Sequence, residues 1–342
     1  MFNRLEIKNF KGINSLLLND LGRFNLITGE NGSRKSSLLE AIFLFHDRYS
    51  PDAFIKLLSW RIGPMITFTP ATLFAPFFFN FSQKSSISIK IDSDELLFSI
   101  GQDAFSLATP STALNPHSGA NNGARLNARV IKNRKPMDSY HFEISPDGVR
   151  RIGPTNPETL PDAAYLSHRL YSTQNTARDF SELDKKGEGK QLLPYLQIIE
   201  PDITDLSLGL QGTQPEVFAS SSQFDTKVPL SLLGEGLGRL TGILCTILAR
   251  KKGVFLIDEI ENGFHHLILP KVWQCIIESI LKTDSQLFVT THSLEVIRAL
   301  KSVLSAEKLN ELSLIRLKRD QSLKTIRGNQ IALAIEESWE LR

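Results

Sequence analysis

Cysteine is nearly absent from this chain, with Cys245 and Cys275 alone in 342 residues. Two cysteines cannot build a disulfide framework, and no ligand spacing around them points to zinc. Both lie in apolar stretches of helical spacing, so they read as reduced core residues. Long hydrophobic runs are missing too. No apolar stretch approaches the roughly 20 residues of a membrane span, and the amino terminus has no leader pattern. The expectation is a cytoplasmic protein with no membrane partner. Charge of one sign is also lacking, since 39 Lys and Arg face 37 Asp and Glu. That balance argues against a strongly basic nucleic-acid binder, although a local basic patch remains compatible with it. Apolar residues make up 41% of the chain, enough for one large core or two ordinary ones.

The most informative stretch is Gly29-Glu30-Asn31-Gly32-Ser33-Arg34-Lys35-Ser36-Ser37. An apolar run from Phe24 to Thr28 precedes it, and Leu38 to Phe45 follows with helical spacing. Strand, glycine-rich turn and helix are the context of a phosphate-binding loop. The turn points backbone N–H groups inward, and the helix start adds partial positive charge. Lys35 would neutralise the β- and γ-phosphates of ATP, and the Ser36 hydroxyl would be a ligand of Mg²⁺. Arg34 stands where this loop pattern has glycine. In a left-handed conformation its Cβ would cost roughly 1–2 kcal/mol, and its side chain would bring a second cation near the phosphates. ATP binding is expected, with the hydrolysis rate left open.

Residues 1–28 read as three strands, around Leu5 to Phe10, Leu16 to Leu18 and Phe24 to Thr28. Residues 48–82 look irregular and rich in phenylalanine (Phe68, Phe74, Phe77, Phe78, Phe79, Phe81), either core or an exposed partner surface. Ile87, Ile89 and Ile91 alternate as a half-buried strand, with Leu96 to Phe98 as its hairpin neighbour. Residues 101–160 are polar, with short strands at Ala128–Ile131 and Tyr140–Ile144. Arg125, Arg129, Lys132, Arg134 and Lys135 form a basic run there, either a solvated loop or a face for DNA or a protein. Ala163 to Leu166 reads as a strand. Residues 174–200 read as helix, broken near Gly187, and Leu206, Leu208 and Leu210 alternate as a strand.

A second informative block follows. Val254-Phe255-Leu256-Ile257-Asp258-Glu259 has the look of a buried parallel strand ending in two carboxylates. Acids at that end lie where open α/β sheets bind ligands. Asp258 would hold Mg²⁺ through its water shell, and Glu259 would polarise the attacking water. His265 and His266 suggest metal, but adjacent residues of a helix point to different sides. Gln286 to Thr290 is another buried strand, ending in Thr291-His292-Ser293. His292 would contact the γ-phosphate; the plainer alternative is a helix capped by Ser293 beside an incidental histidine. Gly234-Glu235-Gly236 opens an apolar helix and forms a second anion site, or simply a helix cap.

Together these residues resemble ABC-type, SMC-like ATPases, and most of all the compact AAA ATPases related to the overcoming-lysogenization-defect family. Gly29–Ser37 looks like Walker A, and Ile257 to Gly263 looks like Walker B with its D-loop. Gly234-Glu235-Gly236-Leu237 is similar to the signature motif, and Thr290 to Ser293 to the H-loop. Asn9-Phe10-Lys11-Gly12 resembles the opening segment that lies near the nucleotide base, which would give Phe10 and Lys11 that role; a turn with a buried Phe is the alternative. The resemblance implies dimers formed head to tail around nucleotide, with Gly234, Glu235 and Gly236 acting across the interface. Leu233 departs from the usual signature serine, and a Q-loop glutamine has no evident counterpart between residues 50 and 170. No long coiled coil is expected, nor a TOPRIM nuclease domain after the ATPase.

The fold expected is α/β, a P-loop NTPase of ABC-ATPase type with a mixed sheet and helices. Residues 1–50 and 225–342 would form the core, and 51–224 an inserted β-rich and short helical subdomain. The function expected is a Mg²⁺-dependent ATPase that forms a homodimer or higher oligomer and controls an effector such as a nuclease, in bacterial anti-phage defence. The alternatives are a slow ATPase that uses ATP as a structural clamp, and a DNA-repair ATPase with DNA as a partner.

Overall fold

The computed structural model describes residues 1–62, 73–101, 125–145, 148–153, 160–167, 172–328 and 330–331. The chain forms two compact units. One contains residues 21–39 and 161–342, the other residues 2–20 and 40–160. These are not the boundaries drawn from motif spacing: the first two strands go with the second unit, and residues 161–224 go with the first.

In the second unit β1 (Leu5–Phe10), β2 (Ile13–Leu18), β4 (Ile87–Ile91), β5 (Asp94–Gly101), β6 (Arg125–Lys132), β7 (Lys135–Ser145) and β8 (Gly148–Ile152) form one sheet. Its order is β2-β1-β4-β5-β6-β7-β8, and every pairing is antiparallel. Alternation gives one apolar face, with Ile7, Ile89, Leu96, Phe98, Ala128 and Phe142 all buried. Residues 48–82 are less irregular than their sequence suggests, because α2 (Ala53–Ile62) lies there. Phe54, Leu57 and Leu58 are its buried stripe. Phe54 meets Phe74, Phe77, Phe98 and Phe142 edge-on at 5.0–5.7 Å. The phenylalanine cluster is therefore core at Phe74, Phe77 and Phe78, whereas Phe81 is 71% exposed; Phe68 lies outside the described residues. The basic run is strand rather than loop through Arg125, Arg129 and Lys132, and only Asn133-Arg134 makes the turn between β6 and β7.

The first unit is built on a six-stranded sheet. Its strands are β3 (Phe24–Gly29), β9 (Ala163–Ser167), β13 (Val254–Asp258), β14 (Gln286–Thr290), β15 (Leu312–Leu317) and β16 (Leu323–Arg327). The order is β16-β15-β3-β14-β13-β9, parallel throughout except for β16 at one edge. A second, three-stranded sheet contains β10 (Ile203–Gln211), β11 (Gln214–Ser221) and β12 (Val228–Pro229). The first-unit helices are α3 (Thr173–Lys185), α4 (Leu193–Gln197), α5 (Glu235–Leu248), α6 (Leu269–Lys282) and α7 (Leu294–Val303). α1 (Lys35–His46) begins in the first unit and runs into the second. The core of the first unit joins Phe255, Ile257, Leu287 and Val289 of the sheet to Leu240, Leu244, Trp273 and Ile276 of the helices. Cys245 and Cys275 are buried in it, and burial pushes both thiols up, Cys275 to about 12. The class is α/β with a mixed sheet, as the pattern implied.

Candidate functional site

The carboxyl ends of β3, β13, β14 and β9 lie side by side, and the polar residues of the sequence motifs collect there. The loop after β3 requires glycine at its first position. Gly29 has φ +140°, and a Cβ there would lie 2.0 Å from the carbonyl oxygen of Leu317. The loop ends at Lys35, where α1 starts. Lys35 is 5% exposed. Its Nζ donates to the carbonyls of Gly29 (2.6 Å) and Glu30 (2.9 Å) and lies 3.3 Å from His292 Nδ1. An ammonium has three N–H bonds, and here each has an acceptor. With the ammonium donating to Nδ1, the His292 ring proton is assigned to Nε2, which stands 3.8 Å from Glu259 Oε1. Burial pushes the Lys35 amine down to about 8, against the pull of Asp258, Glu259 and Glu261.

Ser36 and Asp258 are 222 positions apart and meet in space. Ser36 Oγ donates to Asp258 Oδ1 at 3.2 Å. Thr290 Oγ1 donates to the same oxygen at 2.5 Å, and Tyr165 donates to Oδ2 at 2.8 Å. Thr290 Oγ1 also accepts the Glu259 N–H at 2.8 Å, and its carbonyl accepts the Ile260 N–H at 3.2 Å. These bonds hold Glu259 in a left-handed backbone, φ +50°, a conformation that non-glycine residues rarely adopt. Arg239 of α5 donates from Nη2 to the carbonyls of Asp258 (3.4 Å) and Glu259 (3.0 Å). Burial lowers its pKa to about 10, opposed by Glu261, Glu235, Glu259 and Asp258. The Glu259 carboxylate accepts from Asn262 at 2.8 Å, and Glu261 Oε1 accepts the His292 N–H at 2.7 Å.

The donor set fits a nucleotide and a hard cation. Ser33 is 3% exposed, and its Oγ and the Thr28 Oγ1 have no hydrogen-bond partner. Buried hydroxyls of that kind call for an acceptor, which a phosphate oxygen supplies. Lys35 is turned onto the loop carbonyls of Gly29 and Glu30. Ser36 and Asp258 present oxygens, as Mg²⁺ requires, and Mg²⁺ keeps several waters rather than demanding a full protein cage.

Other residues singled out from the sequence lie elsewhere. Arg34 is left-handed, φ +72°. Its Nη1 donates to the carbonyl of Arg319 at 2.7 Å, so its guanidinium engages the hairpin between β15 and β16. Arg319 in turn donates to the Asn31 carbonyl (3.1 Å) and pairs with Glu30 (3.0 Å). Gly32, φ +81°, has open space where a Cβ would be. Ser37 is buried in the first turn of α1. Gly234, φ +132°, caps α5, Glu235 is its first residue, and a Cβ on Gly236 would lie 2.7 Å from the Gly263 carbonyl. Phe10 and Lys11 belong to the second unit. Phe10 is buried against Phe77, and Lys11 pairs with Glu40 at 2.6 Å. His265 and His266 do not diverge. Their rings lie 4.2 Å apart, because His265 caps a 3₁₀ turn instead of lying inside an α-helix. Among the described residues no group of three or more His, Cys, Asp or Glu could hold a metal. Ser293 stands at the start of α7 but bonds Glu295 instead of capping the backbone.

Three residues in this network, Thr290, Tyr165 and Arg239, had no individual role in the motif reading. Thr290 opens the segment that resembles the H-loop, which was the available signal; nothing near Tyr165 marked it.

Comparison with known proteins gives a family match, two relatives and similar solved structures. The profile of a family described as "AAA domain, putative AbiEii toxin, Type IV TA system" matches residues 24–298. A Helicobacter pylori protein named ATP/GTP phosphatase is 21% identical over 354 residues, covering 94% of this chain and 93% of its own. The Methanocaldococcus jannaschii uncharacterised protein MJECL10 is 44% identical over 66 residues, which is 18% of this chain and 30% of that one. Among solved structures, an Smc head bound to the C-winged helix domain of ScpA aligns over 95% of this chain and 97% of its own, at 15% identity and TM-score 0.48. An SMC head from Thermotoga maritima aligns over 95% and 98%, at 13% identity and TM-score 0.41.

Proposed function

This chain belongs to the AAA-domain family of the AbiEii type, and from that premise we propose that it is a Mg²⁺-dependent ATPase that dimerises around nucleotide and controls a protein effector in bacterial defence against phage. The observation that carries the ATPase reading is the convergence of Lys35, Ser36, Asp258, Glu259 and His292 at one sheet edge. The relative named ATP/GTP phosphatase supports hydrolysis, and the family description, with its toxin and type IV toxin–antitoxin terms, supports a defence role.

In this reading the Gly29–Ser37 loop and the start of α1 cradle the phosphates, and Lys35 leaves the loop carbonyls to donate to them. Ser36 and Asp258 would hold Mg²⁺, which when bound offsets phosphate charge. Glu259 orients water and accepts its proton as the oxygen attacks the terminal phosphorus and the bond to the bridging oxygen breaks. His292, whose ring lies between Lys35 and Glu259, would donate to the oxygens of the terminal phosphate as charge develops there. Gly234, Glu235 and Gly236 present the start of α5 to the nucleotide of a second copy. Leu232, in the turn just before Gly234, is 72% exposed and suits burial between copies.

The test is steady-state phosphate release with Mg²⁺ or EDTA, for the parent and Glu259→Gln, with light scattering to follow association. The parent should hydrolyse ATP only with Mg²⁺. Glu259→Gln should lose at least about 100-fold in rate and accumulate as an ATP-bound dimer. Equal rates in the two proteins would replace hydrolysis with a structural-clamp role for ATP. A Glu259→Gln protein that stays monomeric with ATP would remove the dimer.

A further inference from the structure

β9 runs beside β13 in parallel, with Tyr165 abreast of Leu256 and Ser167 abreast of Asp258. Tyr165 and Asp258 are therefore on positions of like parity and share a face of the sheet. A phenol is long enough to span the two-residue offset, and its hydroxyl reaches Asp258 Oδ2 at 2.8 Å. The carboxylate is thereby divided. Oδ1 accepts from Ser36 and Thr290, while Oδ2 accepts from Tyr165.

We propose that Tyr165 is the positioning residue of the metal-binding carboxylate, fixing its plane so that Oδ1 faces Ser36. This rests on the ATPase reading above. The torsion that turns a carboxylate about its last carbon–carbon bond is broad, so an aspartate at a strand end needs an external bond to hold one orientation. Thr290 does not suffice, because its hydroxyl bonds the same oxygen that faces Ser36 and competes with a cation for it. Tyr165 bonds the other oxygen, and its bond is compatible with a cation on Oδ1. Outer partners of this kind are worth about 10- to 100-fold in metal affinity.

The experiment measures binding of a fluorescent ATP analogue to the full chain in EDTA and in Mn²⁺; the ratio of the two affinities is the contribution of the metal. Tyr165→Phe keeps the ring and removes only the hydroxyl. It should lower the ratio about tenfold while the affinity in EDTA and the melting temperature stay at parent values. An unchanged ratio overturns the assignment, and so does a parallel loss of both affinities with a lower melting temperature, which is the mark of a merely structural residue. A parent protein that binds no nucleotide in either condition overturns the ATPase reading and Tyr165 with it. A parent that responds to Mn²⁺, with a Tyr165→Phe protein that responds equally, removes Tyr165 alone and leaves the ATPase reading standing.

Discussion

Lys35 makes ATP binding a proton-linked event. Its amine falls from 10.5 to about 8 because burial strips water from it faster than Asp258, Glu259 and Glu261 compensate. A drop of that size disfavours the ammonium by about 3 kcal/mol. Between about pH 8 and 10.5 the folded chain binds fewer protons here than the unfolded chain. Stability from this group therefore rises with pH across that window, and its penalty is full below about pH 8. A polyphosphate reverses the imbalance by favouring the ammonium. Binding should then take up about half a proton at pH 8 and almost none from this group at pH 6.5. Calorimetry in two buffers of different ionisation heat reads the number directly. Lys35→Arg removes the titration, since guanidinium stays charged, and subtracting its uptake corrects for the phosphates of ATP. If the parent and Lys35→Arg take up equal protons at pH 8, the burial argument fails. Without ligand, Lys35→Met should abolish the gain in melting temperature that the parent shows from pH 8 to pH 10; an identical pH profile refutes the same reasoning.

The remaining expectations concern the loop and the helix behind it. Gly29→Ala forces a Cβ against the Leu317 carbonyl and should cost at least about 2 kcal/mol in urea unfolding. Arg34→Gly relieves roughly 1 kcal/mol of left-handed strain and loses the bond to Arg319, so stability should change by less than about 1 kcal/mol and ATP affinity by less than about threefold; a tenfold loss in a nucleotide titration would mean that the guanidinium touches the ligand. Arg239→Met removes the donor to the Asp258 and Glu259 carbonyls and should lower turnover by about ten- to a hundredfold with little change in ATP affinity, read as a fall in kcat at near-constant KM.

The carboxyl ends of the sheet's central strands were legible because those strands are predominantly apolar and run directly into polar residues. Phe24 to Thr28, Val254 to Ile257 and Gln286 to Thr290 are of this kind, and they became β3, β13 and β14. What lies between them was harder to read. β15 and β16 follow no motif, yet β15 pairs with β3 along its whole length and supplies the carbonyl that forbids a side chain at Gly29. Helix α2 was hidden because its stripe of Phe54, Leu57 and Leu58 sits in a stretch where phenylalanines recur without a single period. Tyr165 was illegible for a geometric reason. Its hydroxyl reaches Asp258 only because β9 joins the sheet beside β13, and a pairing between positions 93 apart has no local signature.

Glu259 shows why the supporting residues matter as much as the named motifs. Its left-handed backbone is a local cost, and such strain persists only where the surroundings over-determine it. Here the surroundings can be named. Thr290 holds the carboxylate of residue 258, the N–H of residue 259 and the N–H of residue 260, while Arg239 takes the carbonyls of 258 and 259. Thr290 Oγ1 is shared between the Asp258 oxygen that faces Ser36 and the backbone that carries the Glu259 side chain. A change at one of these bonds is felt at the other, because one hydroxyl serves both. The segment from residue 258 to 260 therefore behaves as a single braced unit, fixed from β14 on one side and α5 on the other. Those two braces fix the backbone from which the Glu259 side chain departs, and Asn262, donating to its carboxylate at 2.8 Å, holds the far end.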